Sequence, residues 1–354
     1  MSQDLTIQYE IIKADLKKVR QEVLGIWKED LANNPEARYA WIYEGNPLGP
    51  ASCWLVKETI GKKVIGSAAL FPRRIWVRGV PRMAAIAGDF AIAKAHRGYG
   101  PALALQRMIT SSARAASFDL VYGMPIRQAE LVCRRAGYKV VGNVVRMAKV
   151  LRTKDYIQRL GVPGIASILS TPVDFAMKFL SKESYSKDVG DCTLQQLTCF
   201  DQRFDVLWEK VSSGYQIIGE RKSDYLNWRF VQSPQRHYSV FALISNGTDE
   251  ALGYVVSETA QGMTTIIDLL VIDMGESLDT LLSKFIRLQR ESGIHAISIR
   301  YFGDDTLFSR LKTFGFLIRD SELAVVVYVE PDLPWSSCVT EKKNWYLLDG
   351  DFDG

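Results

Sequence analysis

The chain of 354 residues is poor in metal-binding and cross-linking side chains, with three histidines and five cysteines. His96, His237 and His295 stand far apart in sequence, so no histidine spacing suggests a metal centre. Cys53, Cys133, Cys192, Cys199 and Cys338 are odd in number, scattered and without a CxxC pair. A disulfide framework and a zinc site are therefore not expected, and a reducing cytoplasm fits. Net charge is also small: at +4 it is too low to mark a dedicated nucleic-acid binder. No apolar run reaches the ~20 residues that a spanning helix needs. The first six residues lack the basic start and apolar centre of a signal peptide. The expectation is a cytoplasmic protein with no integral membrane segment and no nucleic-acid partner; the oligomeric state is not legible.

What is present is an ordinary globular composition, long enough for two domains. Periodicity predicts strands at 6–13, 52–57, 63–71, 74–80, 84–93 and 118–122, a helix over 15–31 and another up to 117. A short helix over 128–136 ends at Gly137, and 138–151 reads as a strand pair. The second half gives a helix at 204–211, strands at 238–245 and 252–257 around Asn246-Gly247, and a strand at 264–273. A helix at 278–289, a strand at 296–301, a helix at 306–314 and a strand at 324–329 follow. The shared order of elements, about 175 residues apart, predicts an α/β (mixed-sheet α+β) fold built as two tandem units. The expected division is 1–152, a helical linker 153–190, a second unit 191–332 and a tail 333–354. The linker's apolar positions, among them Ile165, Ile168, Phe175 and Phe179, suit a helix packed between domains, or one lying on a membrane surface.

The stretch Arg97-Gly98-Tyr99-Gly100-Pro101-Ala102 joins the 84–93 strand to the following helix. A Gly-rich turn there directs backbone N–H groups and the positive end of the helix dipole at one spot, which suits a pyrophosphate. Gly98 and Gly100 remove side chains that would block close approach. Pro101 suits the first turn, where no N–H is needed, and Arg97 adds a full charge.

These residues resemble the GNAT acyltransferase superfamily, whose signature Arg-x-x-Gly-x-Gly/Ala matches Arg97 to Ala102. The short helix ending in Gly137-Tyr138, with Ala129 and Arg135, matches a second signature. Tyr122-Gly123-Met124-Pro125, Asp89, the phrase Asp224 to Phe230 and the ending Trp345-Tyr346 are similar to a bacterial subgroup with two GNAT-like halves, linked with surface-polysaccharide biosynthesis. The resemblance implies acetyl-CoA as co-substrate, no metal, and a small-molecule or sugar acceptor. Ile92, Ala93, Lys94 and the turn Arg97, Gly98, Tyr99, Gly100, Pro101, Ala102 would bind CoA, with the pantetheine arm lying like an added strand. The sequence departs from the family at Ile92 and Lys94 (usually Val-x-Pro), at Ile126 (usually Asn) and at Cys133 (often the tyrosine that protonates the leaving thiolate).

Acetyl transfer to an amine needs a base, a donor for the developing oxyanion and a thiolate that can leave. Asp89, in an otherwise apolar strand, is the candidate base; it could equally anchor substrate or backbone, or pair with Arg74, Arg78 or Arg82. Tyr122 is the candidate acid, or an aromatic core residue. A thiol with pKa ~8.5 leaves without a strong acid, so the change at Cys133 is tolerable, and Cys133 itself reads as core. His96 would touch phosphate or water. Arg73, Arg74, Arg78 and Arg82 would steer an anionic substrate or form a solvated face. In the second unit the equivalent turn, Asp273-Met274-Gly275-Glu276-Ser277, carries two acids and no arginine, so no cofactor is expected there. The ending Asp349-Gly350-Asp351-Phe352-Asp353-Gly354 opens like a calcium loop but lacks its glutamate, and reads as a solvated tail. The leading expectation is an acetyl-CoA-dependent acyltransferase. A non-catalytic CoA-binding scaffold and an aminoacyl transferase of the peptidoglycan cross-bridge type are the alternatives.

Overall fold

The computed structural model describes residues 9–27, 35–97, 99–153, 172, 174–175, 178–186, 191–319 and 323–352. Strands β1 (Tyr9–Lys13), β2 (Ser52–Glu58), β3 (Val64–Val77) and β4 (Val80–Ile92) pair antiparallel in sequence order. The two strands expected at 63–71 and 74–80 are thus one long strand and its turn. β5 (Leu120–Gly123) lies parallel to β4, and β6 (Lys139–Asn143) follows it in the chain. Helix α1 (Leu16–Trp27) buries Val19, Val23, Leu24 and Trp27, the expected apolar spacing. Helices α2 (Tyr99–Ser112) and α3 (Arg127–Arg135) cover the other face of the sheet, where Leu105, Ile109, Val132 and Cys133 share a core with Val121. Gly137 takes a positive φ of 100° just past α3, a position where glycine avoids the Cβ penalty.

The next strand breaks the expected pattern. β7 (Val145–Val150) is separated from β6 by Val144 alone, too short a link for a hairpin, so the two do not pair. β7 instead crosses to the second half of the chain. There β8 (Cys192–Leu197), β10 (Ser239–Ser245), β11 (Ala251–Ala260) and β12 (Met263–Val271) pair antiparallel, while β9 (Ile217–Gly219) runs to the junction beside β3. β13 (Ala296–Gly303) is parallel to β12, and β7 lies antiparallel between β13 and β14 (Leu317–Arg319). In return β15 (Ala324–Val329) lies antiparallel between β5 and β6. Each half completes the other's sheet, and the sixteen strands among the described residues form one continuous sheet. The segments 1–152 and 191–332 therefore do not close as separate sheets: either alone would lose a buried strand and expose two edges.

The chain end is a correction. β16 (Trp345–Leu348) lies between β9 and β13 in the middle of the sheet, and Asp349 and Asp351 are buried. Asp351 accepts from Arg73 (3.0 Å) and Arg221 (2.6 Å), and Arg221 also binds Asp268 (2.9 Å), all within the interior. Pairing with two arginines is what lets an acidic ending leave water. Asp353 and Gly354 lie outside the described residues.

Within the expected linker, α4 (Lys182–Tyr185) packs against the second half. Its Glu183 is buried on Lys149 of β7 (3.1 Å) and Arg290 (3.0 Å). Burial lowers the Lys149 pKa, opposed by Glu183. Phe175, Phe179 and Leu180 are exposed; Ile165 and Ile168 lie outside the described residues.

Candidate active site

β4 and β5 pair only through Ala84–Ile86 and Leu120–Tyr122, then diverge. Just past the divergence β4 bulges. Gly88 pairs with Ala69 and Ala91 with Ser67, so Asp89 and Phe90 face Ala68 alone. Asp89 holds φ at 50°, a left-handed conformation uncommon for any residue but glycine. A bulge at this place bends the strand and leaves backbone groups outside the ladder.

The fork opens into a cavity of about 740 Å³. Gly88, Asp89, Ala91 and Ile92 line it from β4, while Gly123, Met124 and Pro125 line it from β5 and its turn. Ala102, Gln106 and Ile109 of α2 and Val132 and Cys133 of α3 complete it on one face of the sheet, and Trp27 reaches it from the other. The cavity thus crosses the sheet. A donor can enter on the helix side and an acceptor can meet it on the Trp27 side.

The turn expected to hold pyrophosphate sits at the mouth. α2 starts at Tyr99, so the N–H groups of Tyr99, Gly100 and Ala102 lie in a first turn that no helix carbonyl precedes. A Cβ at Gly100 would meet nothing within 4 Å, so the position is open towards the outside of the turn. Arg97 lines the cavity and its Nε donates to the Ile92 carbonyl (3.0 Å), which ties the turn to the strand end. Gly98 lies outside the described residues. Of the strand-end residues Ile92 lines the cavity. Ala93 spends its N–H on Ile65 (2.7 Å), and Lys94 is exposed. His96 is placed beside Glu58 (3.4 Å).

Asp89 is at the cavity with a partner the sequence did not suggest. Its Oδ2 accepts from Arg38 Nη1 at 2.6 Å, both side chains being 5% exposed. The guanidinium also lies over the Trp27 ring (5.1 Å). Tyr43 is buried in the same cluster; burial and the nearby Asp89 charge push its pKa well up. Arg38 stands 51 residues before Asp89, and the only signal for it is a charge bordering the aromatic run Tyr39–Tyr43.

Tyr122 does not reach the cavity. Strand alternation turns it to the opposite face, where its hydroxyl donates to the Asp351 carbonyl (2.9 Å) beside Trp345. Burial raises its pKa, which suits a core phenol and not an acid. Cys133 does line the cavity, and burial pushes its thiol up to about 12, so it stays protonated. The four arginines of the expected basic cluster lie elsewhere. Arg73 is buried on Asp351, Arg74 pairs with Glu220 (3.1 Å), Arg78 turns the β3–β4 hairpin, and Arg82 lies over Trp335 (5.4 Å). Among the described residues no cluster of His, Cys, Asp or Glu has the arrangement of a metal site, and no helix is long and apolar enough to cross a membrane.

A mixed sheet with a bulged strand, a fork beside it and a helix starting at the fork's mouth is the GNAT-like acyltransferase fold. Solved structures share it over most of the chain. A GCN5-related N-acetyltransferase from Anabaena variabilis ATCC 29413 superposes with TM-score 0.64 at 15% identity, covering 90% of this chain and 72% of that one. A protein from Enterococcus faecalis V583 described as a probable N-acyltransferase gives 0.62 at 14%, covering 91% and 72%. Saccharomyces cerevisiae N-myristoyltransferase with bound myristoyl-CoA gives 0.57 at 14%, covering 92% and 84%. No protein-family model matches the sequence, and no curated protein matches it either.

Proposed function

We propose that this protein is an acyl-CoA-dependent acyltransferase with one active site, at the β4–β5 fork, and that it moves an acetyl group from acetyl-CoA to an amine, or a hydroxyl, of a sugar or other small metabolite. The observation that carries the reading is the cavity crossing the sheet between the α2 N-terminus and the Asp89 bulge. The residues present suit the donor. The first-turn amides and Arg97 would hold the pyrophosphate, and the unpaired edge of β4 beyond Ile86 would take the arm as an added strand. When bound, the thioester supplies an activated carbonyl and a thiolate that leaves without a strong acid. Backbone N–H groups released at the bulge would polarise that carbonyl. Asp89 would take the acceptor's proton, with Arg38 as the residue that positions it.

The Arg38 contact also favours a second reading, in which Asp89 holds the bulge open and touches no proton. Thiol release from acetyl-CoA with a panel of amino sugars tests both. A proton-accepting Asp89 predicts that Asp89→Asn lowers kcat by about 10²–10⁴ and removes the acidic limb of its pH profile. Unchanged kcat with a raised KM would assign it the positioning role, and thiol release from no acceptor would leave the protein a CoA binder. The association with surface-polysaccharide biosynthesis and the origin of the chain as two tandem units belong to the same proposal. They rest on the sequence resemblance and on the parallel strand order of the two halves.

A further inference from the structure

Charge is unevenly placed along the chain. From Lys94 to Lys139 stand eight lysines and arginines against two acids, a net +6, while the whole chain carries +4. The remaining residues are therefore net acidic. All eight cations are exposed, whereas both acids are engaged: Asp119 accepts from the Met83 N–H (3.1 Å) and Glu130 from Arg134 (2.8 Å). α2 and α3 send Leu105, Ile109, Val132 and Cys133 into one core, and the Thr110 hydroxyl donates to the Ala136 carbonyl (3.2 Å) between them. Their outward stripes thus lie side by side, with Arg107 and, just past α2, Arg114 on one, and Arg127, Arg134 and Arg135 on the other. Exposed Met108 and Leu131 sit among these arginines, and exposed Ile126 reaches the cavity mouth. The basic face extends past any nucleotide held at that mouth. At 1.5 Å per residue Arg114 lies about 20 Å along the chain from Gly100, and Arg134 about 12 Å from Ile126. A basic face with apolar residues at its middle has the make-up of a protein interface, in which arginine and methionine are enriched. Its charge calls for an acidic partner, and its place around the donor entrance says what that partner delivers.

We infer that the outer faces of α2 and α3 dock a small acidic carrier protein that presents the acyl group as a thioester on its own phosphopantetheine arm. This rests on the acyl-transfer reading above and extends it from a free nucleotide donor to a protein-borne one. Such an arm ends in the same thiol as CoA and is attached through a phosphate, so one entrance serves either donor. The transfer itself is unchanged. The C–S bond breaks, a C–N or C–O bond forms, and the acceptor's proton ends on the carrier's thiol.

Fluorescence anisotropy with labelled acyl carrier protein, acetylated on its arm, tests this beside calorimetry with acetyl-CoA, both on the full chain. The parent should bind the carrier, about tenfold more weakly when salt rises from about 50 to about 300 mM. Arg114→Glu/Arg134→Glu should weaken the carrier about tenfold or more and leave acetyl-CoA affinity within about twofold, which also shows that the variant is folded. Leu131→Asp, at the apolar middle of the face, makes the same comparison independently and should give the same split. A parent that binds acetyl-CoA but not the carrier would overturn the inference alone. A parent that binds neither would overturn the reading beneath it as well. Equal losses for both donors would make the face a steering surface for CoA, and binding to phosphatidylglycerol vesicles in place of the carrier would make it a membrane surface. Either result would overturn the inference.

Discussion

The two halves of the molecule present the same fork and treat it oppositely. In the first, β4 and β5 part after three pairs and leave a cavity. In the second, β12 and β13 part after Ile266 and Ile299, and β16 enters the gap, pairing with β13 at Tyr301–Gly303. The helix that starts beside each fork differs in the same sense. The first turn of α2 faces an open position at Gly100. The first turn of α5 (Glu276–Glu291) is already capped, since the Asp273 carboxylate accepts from the N–H groups of Gly275 (2.8 Å) and Ser277 (3.3 Å). An anion has no place where the chain has supplied its own. The groove between α5 and α6 (Asp305–Thr313) is taken by α4, whose Lys182 meets Asp279 (2.6 Å) and Thr313 (3.3 Å). Three protein elements thus stand in the second half where a ligand could stand in the first. The single site proposed above therefore rests on filling as well as on charge.

Breaking the filled fork has the largest expected effect. Asp351→Ala leaves Arg73 and Arg221 buried without a shared partner and should cost about 3–5 kcal/mol in denaturant unfolding. Burial pushes the Asp351 pKa up, but Arg221 and Arg73 outweigh it and hold the carboxyl below its ordinary value. The stability it contributes is therefore complete above the unfolded carboxylate pKa of ~3.9 and is lost as pH falls through the depressed value. The acid limb of the stability–pH curve should flatten in Asp351→Ala. At the open fork, Arg38→Met strands a buried Asp89 and should cost about 3 kcal/mol, with part recovered in the double variant Arg38→Met/Asp89→Asn. If the single and double variants are equally unstable, Arg38 does not act through Asp89. The smallest effect belongs to Asp273→Ala, which uncaps α5 at about 1 kcal/mol. It should create no second CoA site, because β16 and α4 remain.

Much of this was legible and some was not, for identifiable reasons. The strand-to-helix turn was readable because glycine, proline and arginine there each have a local role. The bounds of β15 were readable too, since a six-residue run from Ala324 to Val329 can only be a buried strand. Its place was not, because an apolar run says that a strand is covered on both faces but not by which neighbours. The exchange with β7 turns on the single residue Val144. Arg38 and Asp351 were missed for one reason: long-range ion pairs carry no sequence periodicity, and an acidic ending looks solvated until its arginines are located. Tyr122 was misjudged because an aromatic at a strand end does not reveal its face until the register is known.

The central claim, one open fork and one filled, meets its most direct test in the stoichiometry of CoA binding. Titration calorimetry of the full chain should give one CoA per chain, and Gly100→Trp should abolish binding entirely without lowering the melting temperature. Two CoA per chain, or binding that survives in Gly100→Trp, would contradict it.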